Sequence, residues 1–284
     1  MNTTTLFQDF HLKTREEISD LCKQFLDEDF FVKFPELKNE ISIAITGSVA
    51  SGYQDEKSDL DLAIFFNNEE IFREYKFKII DNYRDENKIS KISPIKFHGG
   101  NFKSFAELEE ELSSWQKDWL LREISEAIIL HDPNDVFVKI QQKYSWYPDE
   151  IFKDKMNWLF AESSFLIFDR YKTGMTRKSL FYVESVKIRI IGLSLITLIM
   201  LNKKYPKSEK HLQRDAAQSK DGSTEILNLL ENILLEKESD KIFSNLCLLR
   251  NEIEKILIDR KIIAKEDTDH WIGLGTNYKI EIEK

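Results

Sequence analysis

Proline and glycine are scarce in this chain of 284 residues, with 5 and 9 copies. So few breakers argue against an all-strand sandwich, whose many turns need them, and favour long helices. Cysteine is scarcer still. Cys22 and Cys247 lie far apart in sequence. That excludes a disulfide framework and any short cysteine-based metal spacing. Both read as buried or half-buried thiols in a reducing compartment. Long apolar runs are also missing. The most apolar, Ile190 to Leu201, falls short of the ~20 residues that a bilayer span requires, and it reads as a buried helix. The first residues, MNTTTLFQDFHLKTREE, lack the apolar stretch of a signal peptide. A cytoplasmic protein with no membrane partner is therefore expected. Positive charge is in deficit as well, 41 Lys and Arg against 50 Asp and Glu, for a net charge of −9. Binding nucleic acid without sequence preference needs a basic surface that displaces counterions, so nucleic acid is a poor candidate partner. A nucleotide substrate is compatible with an acidic chain, because a bound metal ion supplies part of the positive charge.

What is present is apolar mass. Hydrophobic residues make up 42% and aromatics 12%, enough to bury a core in one large domain or two modest ones. Ile18, Leu21, Cys22, Phe25 and Leu26 recur at helical spacing and predict a helix over 13–28. ISIAIT at 41–46 and LDLAIFF at 60–66 predict buried strands. A helix is expected over 69–83, and a third strand from Ile89 to His98, ended by Gly99 and Gly100, with Pro94 marking an edge or a bulge. From Phe105 the pattern becomes helical, with segments expected near 105–129, 149–171, 179–203, 223–236 and 240–264. The tail YKIEIEK reads as a terminal strand. These elements describe an α+β protein: a small domain over 1–135 containing the strands, then a helical bundle over 136–284. HDPND at 131–135 is the expected linker, with YPDE at 147–150 as the alternative.

The chemistry concentrates between Ile43 and Phe66, in IAITGSVASGYQDEKSDLDLAIFF. Gly47 follows a buried strand, and a residue without Cβ lets the backbone approach a ligand closely. Ser48 then opens a turn or helix whose free N–H groups and hydroxyl suit phosphate oxygens. Asp59 and Asp61 are two apart at a strand start, so alternation puts both on one face while Leu60 and Leu62 point into the core. Neighbouring carboxylates repel one another, and a divalent cation removes that cost. Mg2+ fits, since it is commonly held by one or two carboxylates together with phosphate oxygens and water. The reaction such a site suits is in-line displacement at a nucleotide α-phosphate.

These residues resemble the nucleotidyltransferase superfamily, typified by the kanamycin and lincosamide nucleotidyltransferases and the minimal nucleotidyltransferases. Gly47 and Ser48 match the family's Gly-Ser, Gly52 matches a frequent glycine after it, and Ser58, Asp59, Leu60, Asp61 and Leu62 match its Ser-Asp-x-Asp-Leu core. The match is specific but spans about two dozen residues. More weakly, ILHDPNDVF at 129–137 resembles the segment joining the catalytic and helical domains in aminoglycoside-type members. LNKKYPKSEKHL at 201–212 resembles the helical-domain segment in which a lysine, here Lys210, lies near the triphosphate. The resemblance implies a small mixed-sheet nucleotidyltransferase domain followed by the helical bundle. It implies Asp59 and Asp61 as catalytic Mg2+ ligands, and nucleotide contacts from Gly47, Ser48, Ser58 and Lys210. The implied reaction moves a nucleoside monophosphate, AMP from ATP, to a hydroxyl of a small molecule. An aminoglycoside-like antibiotic, being cationic, would suit an acidic cleft.

The chain departs from the family at the third acid, which belongs on the next strand. ISKISPIKFHGG contains no Asp or Glu, and Lys96 and His98 stand nearest the expected place. Three readings stay open: Glu86 or Glu107 reaches in, His98 serves as base, or the protein binds nucleotide or a partner without efficient transfer. A protein acceptor, as for an antitoxin-type nucleotidyltransferase, is a further alternative, and homo-oligomerisation is left open. Trp115, Trp119 and Trp158 are expected in core or interdomain packing rather than in an acceptor pocket. The cluster Lys203, Lys204, Lys207 and Lys210 reads first as a solvated helix terminus.

Overall fold

The computed structural model describes residues 10–83, 95–96, 102–219 and 223–264, with the backbone alone at 95, 96 and 223. It divides into two compact units, Met1–Trp146 and Tyr147–Lys284.

The first unit is built on a sheet of five strands: β1 (Ile41–Ile45), β2 (Leu60–Phe66), β3 (Ile95–Lys96), β4 (Phe102–Ser104) and β5 (Ile128–His131). β1 and β2 pair antiparallel, with Ile41 opposite Phe66, Ile43 opposite Ile64 and Ile45 opposite Leu62. β5 adds antiparallel to the other edge of β1. The far edge of β2 takes two short parallel strands, β3 beside Leu60 and Asp61 and β4 beside Ile64 to Phe66. The sheet is thus mixed, and β2 is internal. Every residue of β1 is buried, and of β2 all but Asp61. That is why both strands read as continuous apolar runs rather than as alternating ones.

One face of this sheet, with Ile41, Ile43, Ile45, Leu60, Leu62, Ile64 and Phe66, joins a single apolar cluster with Ile18, Cys22 and Phe25 of α1 (Arg15–Phe25). α1 starts at a capping box, in which the Thr14 hydroxyl accepts from the Glu17 amide and the Glu17 carboxylate accepts from the Thr14 amide. Its helical path continues through a wide turn over Leu26–Phe30. A short helix α2 (Gly47–Ser51) follows β1, and α3 (Glu69–Tyr83) follows β2 and adds Phe72 and Ile79 to the same cluster. On the opposite face, Phe65 stacks on Phe105 of α4 (Phe105–Ser113) and on Phe137 of α6 (Val136–Lys143), at ring separations of 5.9 and 4.8 Å. Between them runs α5 (Asp118–Glu126).

The expected helix over 105–129 is corrected here. It breaks after Ser113, where Trp115 takes a positive φ of 55°. It resumes as α5 and stops at Glu126, so that Ile128–His131 can pair with β1. A four-residue apolar run carries no period that separates strand from helix. Here the strand partner decides. Trp119 is half exposed, not core, and Trp158 of the second unit is nearly as exposed.

The second unit is helical throughout its described residues. α7 (Asp149–Phe165) continues through a wide-turn segment, Leu166–Tyr171, into the short α8 (Lys172–Thr176). α9 (Leu180–Leu201), α10 (Glu209–Ala217), α11 (Ser223–Leu235) and α12 (Ser239–Asp259) follow. The α+β architecture expected from the sequence is the one observed. Most of α9 from Ile190 onward is buried, as the apolar run predicted. Arg250 of α12 is buried too. It lies over the Phe160 ring at 4.7 Å, and its guanidinium donates to Glu254 and Ser164. No helix among the described residues is long and apolar enough to cross a membrane. The tail strand expected in YKIEIEK lies outside the described residues.

Candidate active site

The site forms where the β1–β2 ladder opens. The last ladder contact beyond Ile45 and Leu62 is a hydrogen bond from the Thr46 amide to the Asp61 carbonyl, 2.9 Å long. This bond makes Thr46 and Asp61 cross-strand neighbours and delivers the next residue, Gly47, onto the Asp61 side chain. Gly47 has φ +69°, and a Cβ built there would overlap Asp61 Oδ2. Glycine is required twice over, by the backbone conformation and by the carboxylate packed against it. α2 begins at this glycine, so Asp61 lies beside its first residue, and Ser48 is the next position.

Asp59 directly precedes β2 and, like Asp61, is half buried, whereas Leu60 and Leu62 are wholly buried. This is the alternation that the Asp-x-Asp spacing predicted. Ser58 has a defined task in the turn before it. Its hydroxyl donates to Asp55 Oδ1 at 3.0 Å and accepts from the Asp55 amide at 2.8 Å. Asp55 also accepts from the Lys57 amide, and these hydrogen bonds, first from Lys57 and then from Ser58, hold its carboxyl below the usual range. The loop that leads into Asp59 is therefore internally pinned.

α2 ends at Gly52, whose φ of +71° gives the left-handed cap and whose bare Cα accepts the Arg15 guanidinium against it. At the same end, Ser51 donates to the Gly47 carbonyl at 3.0 Å and to the Glu126 carboxylate at 2.7 Å, and Glu126 pairs with the buried Arg122. Sequence reasoning missed Glu126. It comes from α5, 75 residues from Ser51, and nothing local links the two. The hydroxyl of Thr46, buried and opposite Asp61, has no hydrogen-bond partner among the described residues.

The place of the third acid is partly defined. Lys96 of β3 stands in register with Asp61, so the neighbouring strand offers no carboxylate at that position. Glu107 is accounted for elsewhere. Its side chain accepts from the Ser104 amide, and its own amide donates to the Ser104 hydroxyl, a second capping box. That cap follows β4, which lies beside Phe66, roughly 16 Å along β2 from Asp61 at a normal strand rise. Glu86 and His98 lie outside the described residues. Among the described residues, no three His, Cys, Asp or Glu side chains converge on one point. The residues present nonetheless suit a magnesium ion, which takes one or two carboxylates and completes its shell with water and phosphate oxygens. Two half-buried carboxylates beside a turn that only glycine can occupy provide that set.

Lys210 is exposed on α10, in the second unit. Beside it, His211 is held below its ordinary pKa by burial and then by the charges of Lys207 and Lys210.

Residues 30–150 match the family described as nucleotidyltransferase domain. Among solved structures, the chain is similar to a nucleotidyltransferase-like protein from Exiguobacterium sibiricum, at 12% identity and a TM-score of 0.45, covering 84% of this chain and 76% of that one. No curated protein sequence matches the chain.

Proposed function

We propose that the protein is a Mg2+-dependent nucleotidyltransferase that moves a nucleoside monophosphate, AMP from ATP, to a hydroxyl of a small molecule. The observation that carries this reading is the packing of the Asp61 carboxylate on Gly47, which puts the second acid of the Asp-x-Asp pair beside the start of α2. The match of residues 30–150 to the nucleotidyltransferase domain supports it. Asp59 and Asp61 would hold the ion, which supplies positive charge to the triphosphate and to the pyrophosphate that leaves. Gly47 and Ser48 seat the phosphates, with backbone N–H groups and the Ser48 hydroxyl as donors. Ser58 keeps the preceding loop in place so that Asp59 stays aligned with Asp61. In the transfer, the acceptor oxygen forms a bond to the α-phosphorus. The bond from that phosphorus to the bridging oxygen breaks, pyrophosphate leaves, and the acceptor hydroxyl gives up its proton.

One observation favours a second reading. Lys96, not an acid, stands in register with Asp61 on the next strand, which suits a protein that binds nucleotide but transfers poorly. Calorimetry with ATP and the other nucleoside triphosphates, with and without Mg2+, tests the first step. The wild type is expected to bind only with Mg2+, and Asp59→Ala/Asp61→Ala not at all. Folded wild-type protein that binds no nucleotide would end the enzyme reading. Binding without pyrophosphate release across a panel of hydroxyl acceptors, aminoglycosides included, would favour the second reading.

A further inference from the structure

The second unit contains a cavity of ≈ 780 Å³ between α9, α10 and α11, lined by none of the residues assigned a role above. Its size falls within the range of small-molecule sites. Ile188, Leu195, Leu212, Leu227 and Leu234 supply an apolar lining, and Ile188 and Leu234 are about half exposed. In the middle of α9 stands Gly192. A glycine in a helix interior costs about 1 kcal/mol relative to alanine, and a structural reason normally accompanies it. None is present: Gly192 has no positive φ, and a Cβ added to it would meet no atom within 4 Å. The missing side chain leaves open the space that the cavity occupies.

The lip of the cavity is charged in one sense. Glu209 and Glu231 border it from α10 and α11, both exposed and neither engaged in an ion pair or hydrogen bond among the described residues. The one basic residue among the lining side chains, Arg189, is already paired with Glu162 at 2.6 Å. An apolar interior bordered by two exposed carboxylates outside any ion pair among the described residues suits a ligand with an apolar body and a positive end.

We infer that this cavity is a binding site for an amphiphilic cation, an alkyl or aryl amine, with its apolar part over Gly192 and its ammonium between Glu209 and Glu231. The inference is independent of nucleotidyl transfer, since none of these residues belongs to the Asp59–Asp61 site. A polyhydroxylated cation without an apolar face would find no partner for its hydroxyls on the leucine and isoleucine lining.

The test uses the full chain and decylammonium, below its micelle-forming concentration, followed by calorimetry, with decanol and decanoate as neutral and anionic controls. One site is expected, with the ammonium bound most tightly and the carboxylate least. Gly192→Phe puts a benzyl group into the part of the cavity assigned to the apolar chain and should weaken decylammonium at least about tenfold. Gly192→Ala adds a methyl in open space and should leave binding intact. Both replace a helix-interior glycine and should keep or raise the melting temperature, which separates lost binding from lost folding. Glu209→Gln/Glu231→Gln should abolish the preference for ammonium over decanol. The Asp59→Ala/Asp61→Ala variant should bind decylammonium as the wild type does, so a failure of the transferase reading stays separate from a failure here. Binding unchanged by Gly192→Phe, no preference for the cation, or sedimentation showing the face closed by a second copy would each overturn the assignment.

Discussion

Gly47 and Cys22 show how much one residue's surroundings decide. At Gly47, alanine would have to adopt a positive φ, a cost of roughly 1–2 kcal/mol, and would also displace the Asp61 carboxylate that its Cβ overlaps. The overlap falls on one half-buried carboxylate rather than on an apolar side chain, so Gly47→Ala is expected to fold. It should lose Mg2+-dependent nucleotide binding by at least about tenfold, read by calorimetry beside a thermal melt. A variant that binds as the wild type does would show that Asp61 does not act in this position. Cys22 makes the opposite case, a reactive group kept inert. It is fully buried among Ile18, Phe25 and the strand side chains, and burial pushes its thiol up to about 12. Since the thiolate is the nucleophile, an aromatic disulfide reagent should leave Cys22 unmodified in the native protein and titrate it fully in denaturant. Fast native labelling of Cys22, located by mass spectrometry, would contradict the burial of α1. Both residues stood out in the sequence, Gly47 by its motif and Cys22 by its helical spacing. The reason for Gly47, contact with a side chain 14 positions on, required the strand register.

Among the elements, β2 and α3 have the bounds that the sequence predicted, Leu60–Phe66 and Glu69–Tyr83. Local signals define both: a β-branched and aromatic run for the one, and Asn67-Asn68 followed by two glutamates for the other. β5 was not legible, because it is a strand only by virtue of its pairing with β1. The short β4 was hidden by the helix that follows it directly. The two candidate roles of Glu107 separate at this scale. As the cap of α4, it shares a reciprocal pair with Ser104. Ser104→Ala should therefore lower stability by about 1 kcal/mol, measured by urea unfolding, while Glu107→Gln should leave nucleotide binding at the wild-type level. Loss of binding in Glu107→Gln would return it to the list of site acids. A tie between elements gives a pH dependence. Asp29, in the wide turn after α1, is buried, and burial alone would raise its carboxyl. Hydrogen bonds from Lys33 and from Tyr83 of α3, each 2.8 Å, and the charge of Lys33 outweigh that and hold it low. A carboxyl depressed on folding contributes stability above its unfolded pKa, about 3.9, and loses it as the pH falls through the folded value. Tyr83→Phe should accordingly lower the urea-unfolding midpoint near neutrality, by an amount that shrinks as the pH falls through the folded value of Asp29. An unmoved midpoint would mean that the tie between α3 and the turn carries no stability.

At the scale of the molecule, what the sequence conveyed well was whatever is written in neighbouring residues: the α+β class, the helical character of the second half and the Asp-x-Asp strand. The neighbourhoods that form only in three dimensions escaped it. Glu126 reaches Ser51 across 75 positions, and three helices bring Glu209, Glu231 and Gly192 around one cavity. Net charge is the one global property that needs no fold, and it yields the last prediction. At −9, the chain as a whole repels a phosphate backbone. Around His211, the cations Lys207, Lys210 and Arg214 are partly offset by Asp215. Nucleic-acid affinity depends on how many phosphates a protein neutralises, with log K falling by about 0.9 per contact per decade of salt. Three cations with Glu209 and Asp215 among them offer too few contacts to hold a duplex at physiological ionic strength. Duplex DNA and structured RNA should therefore show no binding in filter or anisotropy assays at 150 mM salt, a typical physiological ionic strength of about 0.15 M. Any weak binding at low salt should be lost in Lys207→Ala/Lys210→Ala. Salt-resistant binding to RNA would shift the expected acceptor from a small molecule to a nucleic-acid end.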